Sequence, residues 1–299
     1  MTYRLLRIIV ELMSYIPLPV GRFAGKILGC IFSFLPLKRT RVSLDNIQKS
    51  IGDSLGRRGA ERLNRKVLLH FGQMLFEVPH VFRMNDKNLK SYVTFVRQEI
   101  LQEALNRGKG VFILTGHLGN WEIMCAALSI RFGRLSVVMR PMDFRPLDRV
   151  INDLRSRFGA EMIPKQKAMR KLLDAVKQKR MIGILLDQNV DWYAGVFVKF
   201  LGRWACTNKG LALLALKTGT PVIPTFAVRR EDGRYSIVFC DEVRLIRTGD
   251  KTRDIEENTA LFTKSIEDYI RRYPEQWFWF HMRWKTRFYH PLPPSGELT

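Results

Sequence analysis

A histidine and a glutamate five residues apart, in Gly116-His117-Leu-Gly-Asn-Trp-Glu122, are the side chains of this chain best suited to chemistry. Inside one helix, five steps of about 100° would set them some 140° apart, out of contact. The neighbouring residues change that geometry. Val111-Phe-Ile-Leu114 reads as a buried strand, Thr115-Gly116 as a sharp turn, and Leu118 to Ile130 as a helix. His117 then stands on a strand-to-helix turn, and Glu122, in the first helical turn, is expected to fold back onto one imidazole nitrogen and leave the other facing a cleft. A carboxylate in that position fixes the tautomer and stabilises the imidazolium, which makes a competent general base near neutral pH. The unpaired amides at the helix start, around Gly119 and Asn120, are the candidate oxyanion donors.

A side-chain nucleophile is missing from this arrangement. The one Gly-x-Ser-x-Gly run, Gly52-Asp-Ser54-Leu-Gly56, follows no apolar strand and so is not a nucleophile elbow, and the nearest thiol, Cys125, lies deeper in an apolar helix. The base would therefore act on a hydroxyl of the substrate. The plain alternative is a capping or surface pair. Metal binding is a weaker one, because His-x4-Glu is not a usual ligand spacing and no third ligand is near. Neither a metal nor a cofactor is expected, and Walker and Rossmann glycine patterns are absent.

The elements that must position His117 repeat its pattern. Leu135 to Met139 is a second candidate strand, ending in Arg140-Pro141, where proline forbids helix and leaves a guanidinium at the strand exit. That planar fork suits a phosphate, although a surface ion pair is an equal alternative. Met181 to Leu186 is a third strand, closed by Asp187-Gln188. Gly219 to Pro224 opens a fourth and Tyr235 to Cys240 forms a fifth, joined through a turn at Glu231-Asp-Gly233. Two helical stretches lie between Phe144 and Arg180, and a long helix covers Arg253 to Arg272. In Arg57 to Arg83 a four-residue stripe of Leu63, Val67, Phe71 and Leu75 predicts an amphipathic helix, with His70 and His80 structural. Thr207 is a plausible N-cap for a helix over 208–217. Open α/β sheets place their sites at the carboxyl ends of such strands.

Fifty Lys plus Arg against 28 Asp plus Glu give a net charge of +22, so an anionic partner is expected. Candidates are an acidic membrane surface, a phosphorylated lipid, an acidic carrier protein or nucleic acid. Each Lys or Arg beside an anionic bilayer is worth about 1 kcal/mol. A basic, non-enzymatic membrane- or nucleic-acid-binding protein is the rival from another class, but no RNP, helix-turn-helix or zinc-finger pattern supports base recognition. The most basic segment, Lys165 to Arg180, including Lys167, Arg170 and Lys171, is a solvated face or a docking surface for an acidic carrier. The four cysteines form no Cys-x-x-Cys pair and read as reduced, in keeping with a cytoplasmic catalytic face. The N-terminal 5–37 is apolar but interrupted by charges and prolines. Its longest uncharged run, 27–37, is shorter than the roughly 20 residues a straight span needs. An interfacial or re-entrant anchor is expected, with Lys38-Arg39-Thr-Arg41 as a basic collar suited to lipid headgroups.

Several blocks resemble one family. Gly116-His-Leu-Gly-Asn-Trp-Glu122 is similar to the His-x4-Asp/Glu motif of the lysophospholipid-acyltransferase-like superfamily, in particular the lauroyl/myristoyl acyltransferases of lipid A biosynthesis. Arg140-Pro, Asp187-Gln188, Phe200-x-Gly202-x-x-Ala-x-Thr207 and Tyr273-Pro-Glu-Gln with Trp277…Arg283-Trp284 follow in the family's order, and Arg41, Asn46 and Glu77 match more loosely. The resemblance implies an αβα acyltransferase domain over 41–299, with a mixed, largely parallel sheet, preceded by an N-terminal hydrophobic, membrane-associating segment over 1–40. It implies an acyl carrier protein as donor, a phosphorylated lipid A precursor as acceptor, and the cytoplasmic face of a bacterial inner membrane. His117 and Glu122 would be catalytic. Arg140, Asp187, Gln188, Phe200, Gly202 and Thr207 would bind substrate, Asp187 either meeting the acceptor or organising the site, with Phe197, Phe200 and Trp204 walling an acyl chain unless they are ordinary core. Another membrane lipid, such as a phosphatidylinositol mannoside or an ornithine lipid, fits the same motifs as acceptor.

Overall fold

Five short apolar runs that each bury both faces can be satisfied only by stacking side by side between helices, as parallel strands do. A computed structural model describing residues 2–165 and 168–287 shows this arrangement. Helices α1 (Thr2–Met13), α2 (Leu18–Phe34) and α3 (Lys38–Glu77) precede strand β1 (Val93–Val96) and helix α4 (Gln98–Asn106). Then β2 (Val111–Thr115), α5 (Trp121–Phe132), β3 (Leu135–Met139), α6 (Arg145–Ser156), β4 (Glu161–Pro164), α7 (Ala168–Lys177) and β5 (Met181–Leu185) alternate. A hairpin of β6 (Gly195–Phe200) and β7 (Arg203–Asn208) leads to α8 (Gly210–Thr218), β8 (Val222–Arg229), β9 (Tyr235–Phe239) and α9 (Lys251–Arg272).

The main sheet has the order β1-β9-β8-β2-β5-β3-β4. From β8 to β4 the pairings are parallel, whereas β9 runs antiparallel to β8 and carries β1 parallel to itself. The expected mixed, largely parallel sheet is therefore present. Strands β1 and β4 were not foreseen. Both are four residues long and partly exposed, so neither shows a continuous apolar run. The register matters most at the centre, where Thr115 on β2 lies opposite Leu185 on β5.

Helix α3 is longer than the stripe over 57–83 suggests. It continues back to Lys38 across a break at Gly56, whose φ of 65° and ψ of 171° are not helical. Leu63 and Val67 are buried, but Leu75, counted in the stripe, is 53% exposed. A second face of α3 takes α2. There the backbones approach so closely that a Cβ on Gly25 would come within 2.5 Å of the Gly72 carbonyl, and one on Gly29 within 2.4 Å of the Leu68 carbonyl. Glu77 seals that junction. It is fully buried, accepts from Arg22 on α2 at 2.7 Å and from Tyr235 on β9 at 2.6 Å, and pairs with Arg229 on β8.

Glycine faces inward on α2, and the apolar side chains are left outside. Leu5, Ile8, Ile9 and Leu12 on α1, and Val20, Phe23, Ile27, Ile31 and Phe34 on α2, are all exposed. Among the described residues no single helix is long and apolar enough to cross a membrane. Helices α1 and α2 meet that test only together, as a pair bent by 116° at the break before Leu18.

Candidate functional site

The register of β2 and β5 determines which residues meet. Two residues beyond the Thr115–Leu185 rung come His117 and Asp187, and the ladder continues past the strands through the Leu186 amide donating to the Thr115 carbonyl at 3.0 Å. Asp187 is buried and accepts three hydrogen bonds: from the His117 amide at 2.7 Å, from His117 Nδ1 at 2.8 Å and from the Trp277 indole at 2.7 Å. Burial, the largest single influence on this carboxyl, works to raise its pKa. The charge of His117 and the three donors outweigh it and bring the group down to about 2. Asp187 is therefore a carboxylate at any physiological pH. Nδ1 of His117 faces this carboxylate, and Nε2 faces the side-chain amide of Gln188 at 3.2 Å. The ring is flanked by Trp121, with centroids 5.0 Å apart, and by Phe278 at 6.2 Å. The His117 side chain is 20% exposed.

Glu122 is not the brace. The three residues between it and His117 are drawn away to β8 and to the segment after α9: Gly119 N–H donates to the Gln276 carbonyl at 2.9 Å and Asn120 N–H to the Ala227 carbonyl at 3.3 Å. Asn120 then caps α5, its side chain accepting from Ile123 N–H at 3.1 Å. From the next turn the Glu122 carboxylate faces α6, where the Arg155 guanidinium grips it at 2.7 and 2.5 Å and the Trp121 indole donates at 2.9 Å. The same contacts remove Gly119 and Asn120 as oxyanion donors, since both amides are already bonded. Gly119 serves another purpose: its φ is 64°, and a Cβ there would lie 1.5 Å from the Ala227 carbonyl, so only glycine permits this crossing.

The other expected site residues divide. Gln188 lies beside the imidazole, its side-chain nitrogen 3.2 Å from His117 Nε2. Arg140 does leave the sheet at the same edge, but its guanidinium is 75% exposed and pairs with Asp143 at 3.2 Å. Phe200 is not a free acyl-chain wall. It is fully buried, edge-on to Trp277 at 5.4 Å and beneath the Arg283 guanidinium at 4.9 Å. Gly202 forms the exposed turn of the β6–β7 hairpin, with φ of 81°. Thr207 lies in β7 and does not cap α8, which begins at Gly210; Asn208 meets the Gly210 amide at 2.8 Å instead. The Thr207 hydroxyl is taken by Arg283. That arginine, buried completely, also donates to the carbonyls of Cys206 at 2.7 Å and Gln188 at 3.3 Å, and so ties the β7 end to the residue beside His117. Its burial lowers its pKa to about 10, against the pull of Asp187, so it stays a cation. Of the basic stretch considered for carrier docking, Lys167 lies outside the described residues.

His70 is structural, as expected. It is buried between the Gly119 carbonyl at 3.3 Å and Arg229 at 3.4 Å, and burial, aided by Arg229, holds its pKa near 3. Burial pushes the Cys125 thiol up to about 12, which keeps it protonated at neutral pH, and raises Cys206 as well.

An acid-braced imidazole at the carboxyl edge of a parallel sheet is the site that this α/β fold presents. Comparison with known sequences makes this specific. Over residues 2–286 the chain matches, and belongs to, the bacterial lipid A biosynthesis acyltransferase family. It is 24% identical over 230 residues to a lipid A biosynthesis acyltransferase of Haemophilus influenzae, covering 76% of this chain and 70% of that protein. It is 22% identical over 294 residues to the lipid A biosynthesis lauroyltransferase of Escherichia coli, covering 93% and 90%. A phosphatidylinositol mannoside acyltransferase of Mycolicibacterium smegmatis is 23% identical over 188 residues, covering 62% of this chain and 60% of that protein.

Proposed function

We propose that this acyltransferase moves a fatty acyl chain from acyl carrier protein to a hydroxyl of a phosphorylated lipid A precursor, on the cytoplasmic face of a bacterial inner membrane, with His117 as general base. The observation that supports the reading is the Asp187–His117 pair, in which the carboxylate meets Nδ1 and leaves Nε2 on the other side of a partly exposed ring. The acceptor hydroxyl gives its proton to Nε2 while its oxygen attacks the thioester carbonyl carbon. The tetrahedral intermediate then expels the carrier thiolate, which takes the proton back from the imidazolium. An ester and a free thiol result, and no acyl-enzyme forms. Gln188 yields Nε2 to the acceptor hydroxyl, and its amide is then free to donate to the developing oxyanion. The exposed apolar faces of α1 and α2 support binding in the membrane interface, where their burial would gain about 25 cal/mol per Å².

The M. smegmatis relative favours a second acceptor, a phosphatidylinositol mannoside. Both readings are tested by incubating the full-length protein in detergent micelles with a panel of acyl carrier thioesters and either lipid, and weighing the products by mass spectrometry. An added acyl mass on the lipid A precursor is expected. An added mass only on the mannoside replaces the acceptor, and consumption of neither thioester nor lipid overturns the reaction.

A further inference from the structure

A concavity whose lining does not include His117 opens elsewhere on the protein. It is a cleft of about 620 Å³, within the range of small-ligand sites, formed where the first turns of α3 meet β7 and residues 282–285. Its charge is lopsided. Lys38, Arg41, Lys49, Arg203 and Lys285 line it against one carboxylate, Asp45, and Asp45 is already paired with Lys49 at 2.7 Å. Arg203 is held rigidly, its guanidinium 4.2 Å from the Trp284 ring centroid. Its Nη1 and the Trp284 Nε1 are buried donors without a hydrogen-bond partner among the described residues, in a protein where such groups are normally satisfied. Burial lowers the Arg203 pKa, with only Asp45 opposing, which is the signature of a cation short of a counter-ion.

The cleft is tied both to the apolar surface and to the reactive imidazole. It starts at Pro36 and Lys38, directly after the exposed Phe34, Leu35 and Leu37 that end the outer face of α2. On its inner wall Asn46 donates to the carbonyls of Trp279 and His281, both at 2.8 Å, and the same segment gives the Phe278 amide to the His117 carbonyl at 2.9 Å. We propose that this cleft is the binding site for a phosphate monoester on the headgroup of the acceptor lipid. Arg203 and Arg41 form the fork, Lys38 and Lys285 supply charge, and the face of Met282 and Trp284 packs a sugar ring. The assignment deepens the acceptor named above and rests on it. An acidic carrier protein is the poorer occupant, because a concavity of this volume admits a headgroup rather than a helix, and because the cleft opens beside the apolar face and not away from it.

The test uses the full-length protein and four variants: Arg41→Gln, Arg203→Gln, Lys285→Gln and the double variant Arg41→Gln/Lys285→Gln, whose target side chains, Arg203 apart, are exposed and can be changed without opening the core. Two readouts are taken. The first is flotation with vesicles carrying phosphatidic acid, a phosphate monoester, or phosphatidylglycerol, a diester, at matched surface charge. The wild type is expected to prefer the monoester vesicles, and the double variant to lose that preference by about tenfold while still floating on both. Equal preference in all proteins overturns the site whether or not acyl transfer is observed. The second is kcat/KM for a phosphorylated acceptor against the same lipid after phosphatase treatment. The expected result is a preference that collapses by about 10- to 100-fold in the variants, through KM. A KM that rises for the carrier thioester instead, with the acceptor preference intact, assigns the cleft to the carrier and overturns the proposal. Inorganic phosphate as a competitor separates a lipid site from a free-anion site: inhibition only at concentrations far above that of the lipid is expected, whereas binding of phosphate as tight as that of the lipid refutes the headgroup assignment.

Discussion

Replacing Asp187 by asparagine tests the brace with almost no change of shape. The carboxylate accepts from three donors, two of them, the His117 amide and the Trp277 indole, on Oδ2. An amide oxygen at that position can still accept both. The amide nitrogen then lies at 2.8 Å from Nδ1, where two donors would clash, so the imidazole must move its proton to Nε2. The lone pair that takes the acceptor proton is lost. The positive charge that develops on the ring also loses its counter-ion, the carboxylate whose pKa these contacts hold down at about 2 against its burial. Together with the tautomer change, Asp187→Asn should lower kcat by about 10²- to 10⁴-fold, the range over which positioned bases act. KM for both substrates should change little. Acyl transfer is followed by mass spectrometry under saturating substrate, and folding by the urea midpoint. Because brace and base act as one unit, adding His117→Ala to Asp187→Asn should cost less than a further tenfold. A variant that keeps more than a tenth of the wild-type kcat, or a double variant whose losses multiply, refutes the pairing as the source of activity.

Other outcomes follow from the same contacts. Glu122→Ala leaves the half-buried Arg155 without its partner, so the urea midpoint should fall by an equivalent of about 3 kcal/mol; an unchanged midpoint with a lost kcat would restore Glu122 to the chemistry. Gly29→Leu cannot fit against the Leu68 carbonyl, and should free α2 to proteolysis and abolish flotation with anionic vesicles while β-sheet circular dichroism persists. Arg283→Met removes the donor to Cys206, Gln188 and Thr207 together and should cut kcat by at least tenfold through the displaced Gln188, which a matching loss in Gln188→Ala would check. His70 is held neutral, with its pKa lowered from 6.5 to about 3, so between those values the unfolded chain binds a proton that the folded chain refuses. Stability should therefore fall as pH drops below about 6.5, by about 1.4 kcal/mol per pH unit from this group, and His70→Gln should flatten that slope in urea titrations at successive pH values.

The parts of the fold legible in the sequence are those where one physical signal dominates. Val111–Thr115, Leu135–Met139 and Met181–Leu185 are strands because they are apolar on both faces, and a run of that kind has few other uses. His117 was legible as well, since a histidine after such a strand and a turn has one place to be. Its partner was not, because Glu122 shares a local motif with His117 whereas Asp187 reaches it only across the sheet. Asp187 stands two residues beyond its strand just as His117 stands two beyond its own, and that symmetry is visible in the sequence once β2 and β5 are set side by side. Nothing local reveals that adjacency. Glu122 misled for the opposite reason. Its spacing from His117 is compatible with a fold-back turn, but the backbone of 118–120 is captured by Ala227 and Gln276, more than a hundred residues away in sequence. Thr207 and Phe200 misled through composition: a threonine before a helix and an aromatic residue in a hairpin are ambiguous until Arg283 is known to bond the one and lie over the other.

Because acid and imidazole are set by the rungs of a ladder, the stretch of chain between them is free in a way that few active-site spacers are. Everything from α5 to α7 can lengthen, shorten or change its packing so long as β5 still zips alongside β2. A slip of that pairing by a single rung, by contrast, would turn Asp187 to the opposite face of the sheet and present Leu186 or Gln188 in its stead. Tolerance to insertion and intolerance to misregistration thus belong to the same seventy residues.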